Sequence, residues 1–136
     1  VIDQLYLKSE ILGSERKYAI YLPSDYDYSN REYPVLYLLH GAGDDHTGWV
    51  QFGEVKSITD KAYKNGVSTS MIIVMPDAQT GKKGYFNDIN QKWNYEDFFL
   101  KSLFPLLKKN TALNLKKDIE LLLGCLWVVV GLLFTP

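Results

Sequence analysis

"VLYLLHGAGDDHTGW" (Val35–Trp49) decides the fold. Its first five residues, Val35 to Leu39, are an unbroken apolar run that stops at His40-Gly41-Ala42-Gly43. "MIIVM" (Met71–Met75) repeats the pattern and stops at Pro76. Runs this short, apolar on both faces, fit strands in the middle of a parallel sheet that is covered by helices. Between them, "EVKSITDKAYKNG" (Glu54–Gly66) puts Val55, Ile58, Ala62 and Tyr63 on one helical face, and Gly66 is a natural stop. Strand, helix and strand in that order imply parallel pairing through a crossover.

Outward from this unit the pattern changes. "LYLKSEIL" (Leu5–Leu12) and "RKYAIYL" (Arg16–Leu22) alternate apolar and polar residues around the turn "GSER". Leu5 and Leu7, then Tyr18, Ile20 and Leu22, would each face one side, which predicts a hairpin of half-buried strands. "PSDYDYSNREYP" (Pro23–Pro34) is a polar loop. A second helix is predicted from Asn94, with Asn94 as cap, Asp97 three residues on, and a stripe of Phe99, Leu103, Phe104 and Leu107. Pro105 lies inside it and is expected to kink or break it. After "NTALNLKKD" (Asn110–Asp118) another strand is expected.

The 136 residues make one domain at most, large enough for a real core. A formal net charge of −1 gives no charge excess to draw nucleic acid or an anionic membrane. The single cysteine, Cys125, permits no internal disulfide. The chain starts at Val1 and carries no signal peptide; a processed or trimmed N-terminus is the expectation, which leaves secretion open.

The chemistry-bearing stretch is His40-Gly41-Ala42-Gly43. Glycines let a backbone turn sharply and present its N–H groups, and fixed N–H dipoles can stabilise an oxyanion. A plain glycine turn between strand and loop is the alternative. Asp44, Asp45 and His46 are too close in sequence to converge on one ion, so they read as a solvated loop and no metal is expected. Trp49 and Tyr85 can stack on a sugar or phenolic ring, with ordinary packing as the alternative. "GKKG" (Gly81–Gly84) lacks the flanks of a phosphate loop.

"YPVLYLLHGAGDDHTGW", "MIIVMPDAQTG" and "WNYEDFFLKSLFPLLKKN", in this order, resemble the N-terminal half of the esterase-D-like α/β hydrolases, in particular the feruloyl-esterase and acetyl-esterase modules associated with xylan breakdown. The resemblance runs from about Leu12 to Asp118. It implies a partial α/β-hydrolase fold, an N-terminal antiparallel hairpin followed by a parallel sheet with flanking helices. It implies a serine carboxylesterase acting on plant-polysaccharide esters, secreted or periplasmic, without cofactor. The backbone N–H groups of Gly41 and Ala42 would belong to the oxyanion hole, and His40, Trp49 and Tyr85 to the substrate cleft. Family members carry their nucleophile in a Gly-x-Ser-x-Gly elbow after the next strand, with the acid and the histidine later. No such elbow occurs here: Ser57, Ser68, Ser70 and Ser102 lack the glycines, so no catalytic residue is assigned.

Where the family has its elbow, the chain reads "DIELLLGCLWVVVG" (Asp118–Gly131). Joining the last base of each codon to the first two of the next, with permitted synonymous codons, yields "HRAIAGLSMGGGGA". The Trp127–Val128 junction is forced to glycine, because tryptophan is TGG and valine begins GT. The expectation is therefore a domain over residues 1–118 and an apolar tail over 119–136 translated out of frame. The apolar run Leu121–Phe134 is shorter than the roughly 18 residues a membrane span needs. Ile119–Leu123 is expected to lie as a parallel strand beside Val35–Leu39. Two other readings are an inactive fragment that binds or pairs with another chain through its open sheet edge or tail, and a small membrane-tethered protein.

Overall fold

The computed structural model describes residues 1–80 and 83–110. Strands β1 (Ile2–Ser9), β2 (Ser14–Tyr21), β3 (Val35–Tyr37) and β4 (Ile72–Pro76) form one sheet in the order β1-β2-β4-β3. β1 and β2 are the expected antiparallel hairpin, with Leu7 opposite Arg16 and Leu5 opposite Tyr18. β3 and β4 are the expected parallel pair, with Val35 opposite Ile72 and Tyr37 opposite Val74. The crossover between them carries α1 (Gly48–Gln51) and α2 (Val55–Lys64). Gly66, just past α2, has φ +68°, the left-handed geometry that ends a helix at low cost when the residue is glycine. Among the described residues, no helix is long and apolar enough to cross a membrane.

The sheet is covered on both faces. On one side Ala19, Tyr21, Ile73 and Met75 pack with Val55 of α2, and the Tyr21 hydroxyl donates to Asp60 at 2.6 Å. On the other, Ile20, Val35, Tyr37, Ile72 and Val74 pack against α3 (Tyr95–Phe98), a π-helical turn (Phe99–Leu103) and α4 (Phe104–Asn110). This corrects the reading of β2 as half-buried. β2 lies inside the sheet, bonded to β4 with Ala19 opposite Met75, so its last residues are buried on both faces. β1, at the edge, keeps an exposed side along most of its length, and β2 is exposed only near its start, at Ser14, Glu15 and Lys17.

Three further expectations are adjusted. Ile58 and Tyr63, expected on the inner face of α2, are 60% and 40% exposed; α2 buries Val55, with Thr59 and Ala62 half-buried, and Asp60 accepts from the Tyr21 hydroxyl. Asn94 occupies the N-cap position, but its side chain donates to the Gln91 carbonyl. The cap comes from Asn87, whose side-chain oxygen accepts the Asp97 N–H at 3.2 Å. Pro105 does not break the helix. A π-helical turn precedes it, with the Phe104 N–H donating to the Phe99 carbonyl, and this widening accommodates a residue that has no N–H of its own. The expected stripe is present, and Tyr95 and Phe98 extend it at its most buried end. The proposed strand Ile119–Leu123 and the tail lie outside the described residues.

Because β4 is central, its side chains carry much of the packing. Ile72→Ala should cost about 2–5 kcal/mol in urea denaturation, whereas Ile58→Ala on the exposed side of α2 should stay within about 0.5 kcal/mol of the parent. Equal losses for the two would contradict this core assignment.

Candidate functional site

Parallel pairing of β3 and β4 brings together the segments that leave their carboxyl ends, and His40 joins them. Its ring is buried, 2% exposed. The Ala78 N–H donates to Nε2 at 3.0 Å, so in the neutral ring Nδ1 carries the proton and donates to the Gly41 carbonyl at 2.9 Å. Asp77 Oδ1 lies 3.6 Å from Nε2. Burial works against the charged ring, but Asp77 and the Gly41 carbonyl favour it and leave His40 above the ordinary histidine range.

Asp77 is the fixed charge of the site. Its Oδ2 accepts from the Arg16 guanidinium at 2.6 Å, and its Oδ1 accepts the Gln79 N–H at 2.9 Å. Burial alone would raise its pKa; the nearby His40 ring, the Gln79 N–H bond and the charge of Arg16 outweigh burial and bring it down to about 2. Arg16 is itself 5% exposed and sits over the Trp93 ring, 5.3 Å from its centroid. Gln79 holds φ +51°, an unfavourable conformation for a residue with a side chain, and its bond to Asp77 helps hold it there.

Two carbonyls of the glycine turn are gripped from the segment after β4. Thr80 Oγ1 donates to the Gly41 carbonyl at 2.6 Å and accepts the Gly43 N–H at 3.2 Å. The Tyr85 hydroxyl donates to the His40 carbonyl at 2.9 Å. Gly43 has φ +81°, which suits glycine. Among the described residues, neither the Gly41 nor the Ala42 N–H meets an acceptor, and Ala42 is exposed. The turn therefore offers unspent donors beyond the carboxyl end of β3.

The residues singled out in the sequence fall in different places. Gly41 and Ala42 lie at the open end of the sheet. Trp49 is 37% exposed, its indole N–H donating to the Leu39 carbonyl at 2.9 Å. Tyr85 is half-buried, its ring between those of His40 and Tyr95, 5.6 Å from each. His40 is corrected: both its nitrogens are engaged inside the protein, and it joins two loops instead of lining an open cleft. The loop at Asp44–His46 is corrected in part. Asp45 Oδ1 accepts from both the N–H and the hydroxyl of Thr47, but His46 is buried and its Nε2 lies 3.1 Å from the Asp3 carbonyl of β1.

Arg16, Asp77 and Thr80 were not anticipated. Arg16 keeps step with Tyr18 and Ile20, so the alternation that turns those two inward turns a charge inward as well. Asp77 follows the second apolar run as His40 follows the first. Nothing in the sequence around Thr80 announces its reach to Gly41, 39 positions away.

The depressed pKa of Asp77 fixes a sign. Its contribution to stability is fully present above the unfolded aspartate pKa of about 3.9 and is lost as pH falls through that value towards about 2. Asp77→Ala leaves Arg16 buried and unpaired, which should cost about 3–5 kcal/mol at pH 7. The gap between parent and variant should narrow steadily in urea melts from pH 5 to pH 2; a gap independent of pH would contradict the pairing.

Comparison with known proteins gives a consistent picture. The Esterase family model matches residues 9–125. An endo-1,4-beta-xylanase/feruloyl esterase of Xylanibacter ruminicola is 30% identical over 118 residues, which is 80% of this chain and 16% of that protein. A solved ferulic acid esterase superposes with a TM-score of 0.75 at 33% identity, over 82% of this chain and 46% of that one. A ferulic acid esterase from Anaeromyces mucronatus, solved in complex with ferulic acid, gives 0.64 at 26% identity, over 80% of this chain and 42% of that one. The chain thus spans less than half the length of each of these relatives.

Proposed function

This chain belongs to the esterase family and has a partial α/β-hydrolase fold, and from that premise we propose that it carries the oxyanion-binding half of a carboxylic-ester hydrolase. The observation that carries the proposal is the pair of unspent N–H groups at Gly41 and Ala42. In hydrolysis of an ester by a serine, the carbonyl oxygen takes on negative charge as the tetrahedral intermediate forms. Donors already fixed around that oxygen stabilise the charge without reorganising, and each is worth about 10²–10³ in rate. Feruloyl and acetyl esters of plant polysaccharide are the proposed substrates. The ferulic acid esterases among the relatives support this, as does Trp49, an indole partly open at the same end of the sheet.

The nucleophile, the acid and the general base are not assigned to any residue of the 136. We propose that the elbow is encoded one frame away from residues 118–131, where the codons can spell Gly-Leu-Ser-Met-Gly. On this reading residues 1–118 are the domain as translated in frame, and the chain as written is inactive by itself. The family match covers residues 9–125 and so takes in Ile119–Cys125 as they are written.

Sequencing the gene across codons 117–132 tests the frame directly. Codons that cannot spell the elbow in any frame would end that part of the proposal. The 136-residue chain should release p-nitrophenol from p-nitrophenyl acetate, and ferulate from methyl ferulate, no faster than a heat-denatured control. Saturable turnover abolished by a serine-directed fluorophosphonate would overturn the assignment of inactivity.

A further inference from the structure

We propose that Thr80 and Tyr85 are positioning residues that aim the oxyanion donors of the glycine turn. The inference rests on the reading of Gly41 and Ala42 as those donors. A trans peptide is planar, with its C=O and N–H pointing in opposite directions. Fixing one therefore fixes the other. The Gly41 carbonyl belongs to the same peptide as the Ala42 N–H. That carbonyl is held by the Thr80 hydroxyl at 2.6 Å and by His40 Nδ1 at 2.9 Å, so the Ala42 N–H must point away from Thr80. The His40 carbonyl belongs to the same peptide as the Gly41 N–H, and the Tyr85 hydroxyl holds it at 2.9 Å. Two consecutive peptides are thus each gripped by their carbonyl from the segment after β4, and each leaves its N–H unspent among the described residues.

The arrangement answers a physical difficulty. The turn's own bond, from the Asp44 N–H to the Gly41 carbonyl, is long at 3.4 Å, so a turn with Gly41 and Gly43 on either side of Ala42 holds its peptides only loosely by itself. A donor that must be in place before charge develops cannot rely on such a turn alone. Thr80 engages the turn twice, because its oxygen also accepts the Gly43 N–H at 3.2 Å. That second bond occupies the Gly43 N–H. Thr80 in turn follows Gln79, held at positive φ and bonded to Asp77, so the grip on the turn traces back to the buried Arg16–Asp77 pair.

The test uses the 15N-labelled 136-residue chain with Thr80→Val, Thr80→Ser and Tyr85→Phe. Residual dipolar couplings report the direction of the Ala42 and Gly41 N–H bonds, and acetate, a carboxylate whose oxygens mimic the oxyanion, is titrated as the probe. Thr80→Val should change the Ala42 coupling and weaken the acetate-induced shift of Ala42 about tenfold. Thr80→Ser should restore both. Tyr85→Phe should change the Gly41 coupling and leave that of Ala42 near the parent value. Core amides of Ala19 and Val74 monitor folding; if Thr80→Val does not fold, Tyr85→Phe, which removes a single oxygen, decides the matter at Gly41. Couplings unchanged in both variants would overturn the proposal. Couplings that change while acetate shifts neither amide in the parent would leave the positioning intact and remove the oxyanion reading beneath it.

Discussion

The buried ion pair between Arg16 and Asp77 is the constraint on which the rest depends. A guanidinium and a carboxylate both taken out of water are tolerated only if nearly all their hydrogen-bonding capacity is met nearby. Asp77 meets it with Arg16, Gln79 and the neighbourhood of His40. Arg16 adds the face of Trp93, although its Nε is left without a partner. These partners come from the hairpin, from the ends of both parallel strands and from the segment before α3. One charge pair therefore holds in place four pieces of chain that packing alone would leave free to shift.

This placement links the two halves of the sheet. The antiparallel hairpin contributes no atom to the glycine turn, yet it supplies the cation that fixes Asp77. Asp77 fixes the turn at Gln79 and Thr80, and Thr80 fixes Gly41. A specific polar network at the end of a central strand costs stability relative to a well-packed apolar one, but it defines a single geometry. Such definition is what a site for developing charge requires, and it accounts for a histidine as deeply buried as His40 with both ring nitrogens engaged.

Much of this was legible in the residues, because hydrophobic patterning reports burial directly. The runs Val35–Leu39 and Met71–Met75 announced the parallel pair, of which β4 is interior and β3 stands at the edge among the described residues, and the alternation in Arg16–Leu22 announced a strand with two distinct faces. Alternation could not reveal that β2 is interior, since the strand that pairs with its other edge, β4, lies more than fifty positions away and its second face is covered by α2. The helix from Asn94 was legible as a stripe, but its cap was not: Asn87 reaches it across a tight loop, and such a side-chain contact leaves no periodic trace. In the site, the glycine turn stood out because glycine is conformationally distinctive. Thr80 did not, because a threonine that bonds a distant carbonyl looks like any other threonine in a polar loop.

The π-helical turn sets the phase of the final helix. Its buried residues fall at 95, 98, 103 and 107, and the step of five between Phe98 and Leu103 is out of time with an α-helix. Removing one residue from that step, such as the half-exposed Leu100, would bring the stripe to ordinary α spacing with the same side chains still facing the sheet. It would also press the ring of Pro105 against a carbonyl one turn earlier, the clash that the wider turn avoids. The extra residue and the proline are therefore a matched pair. A lineage that lost one without the other would carry a strained helix, so the two should appear and disappear together among relatives.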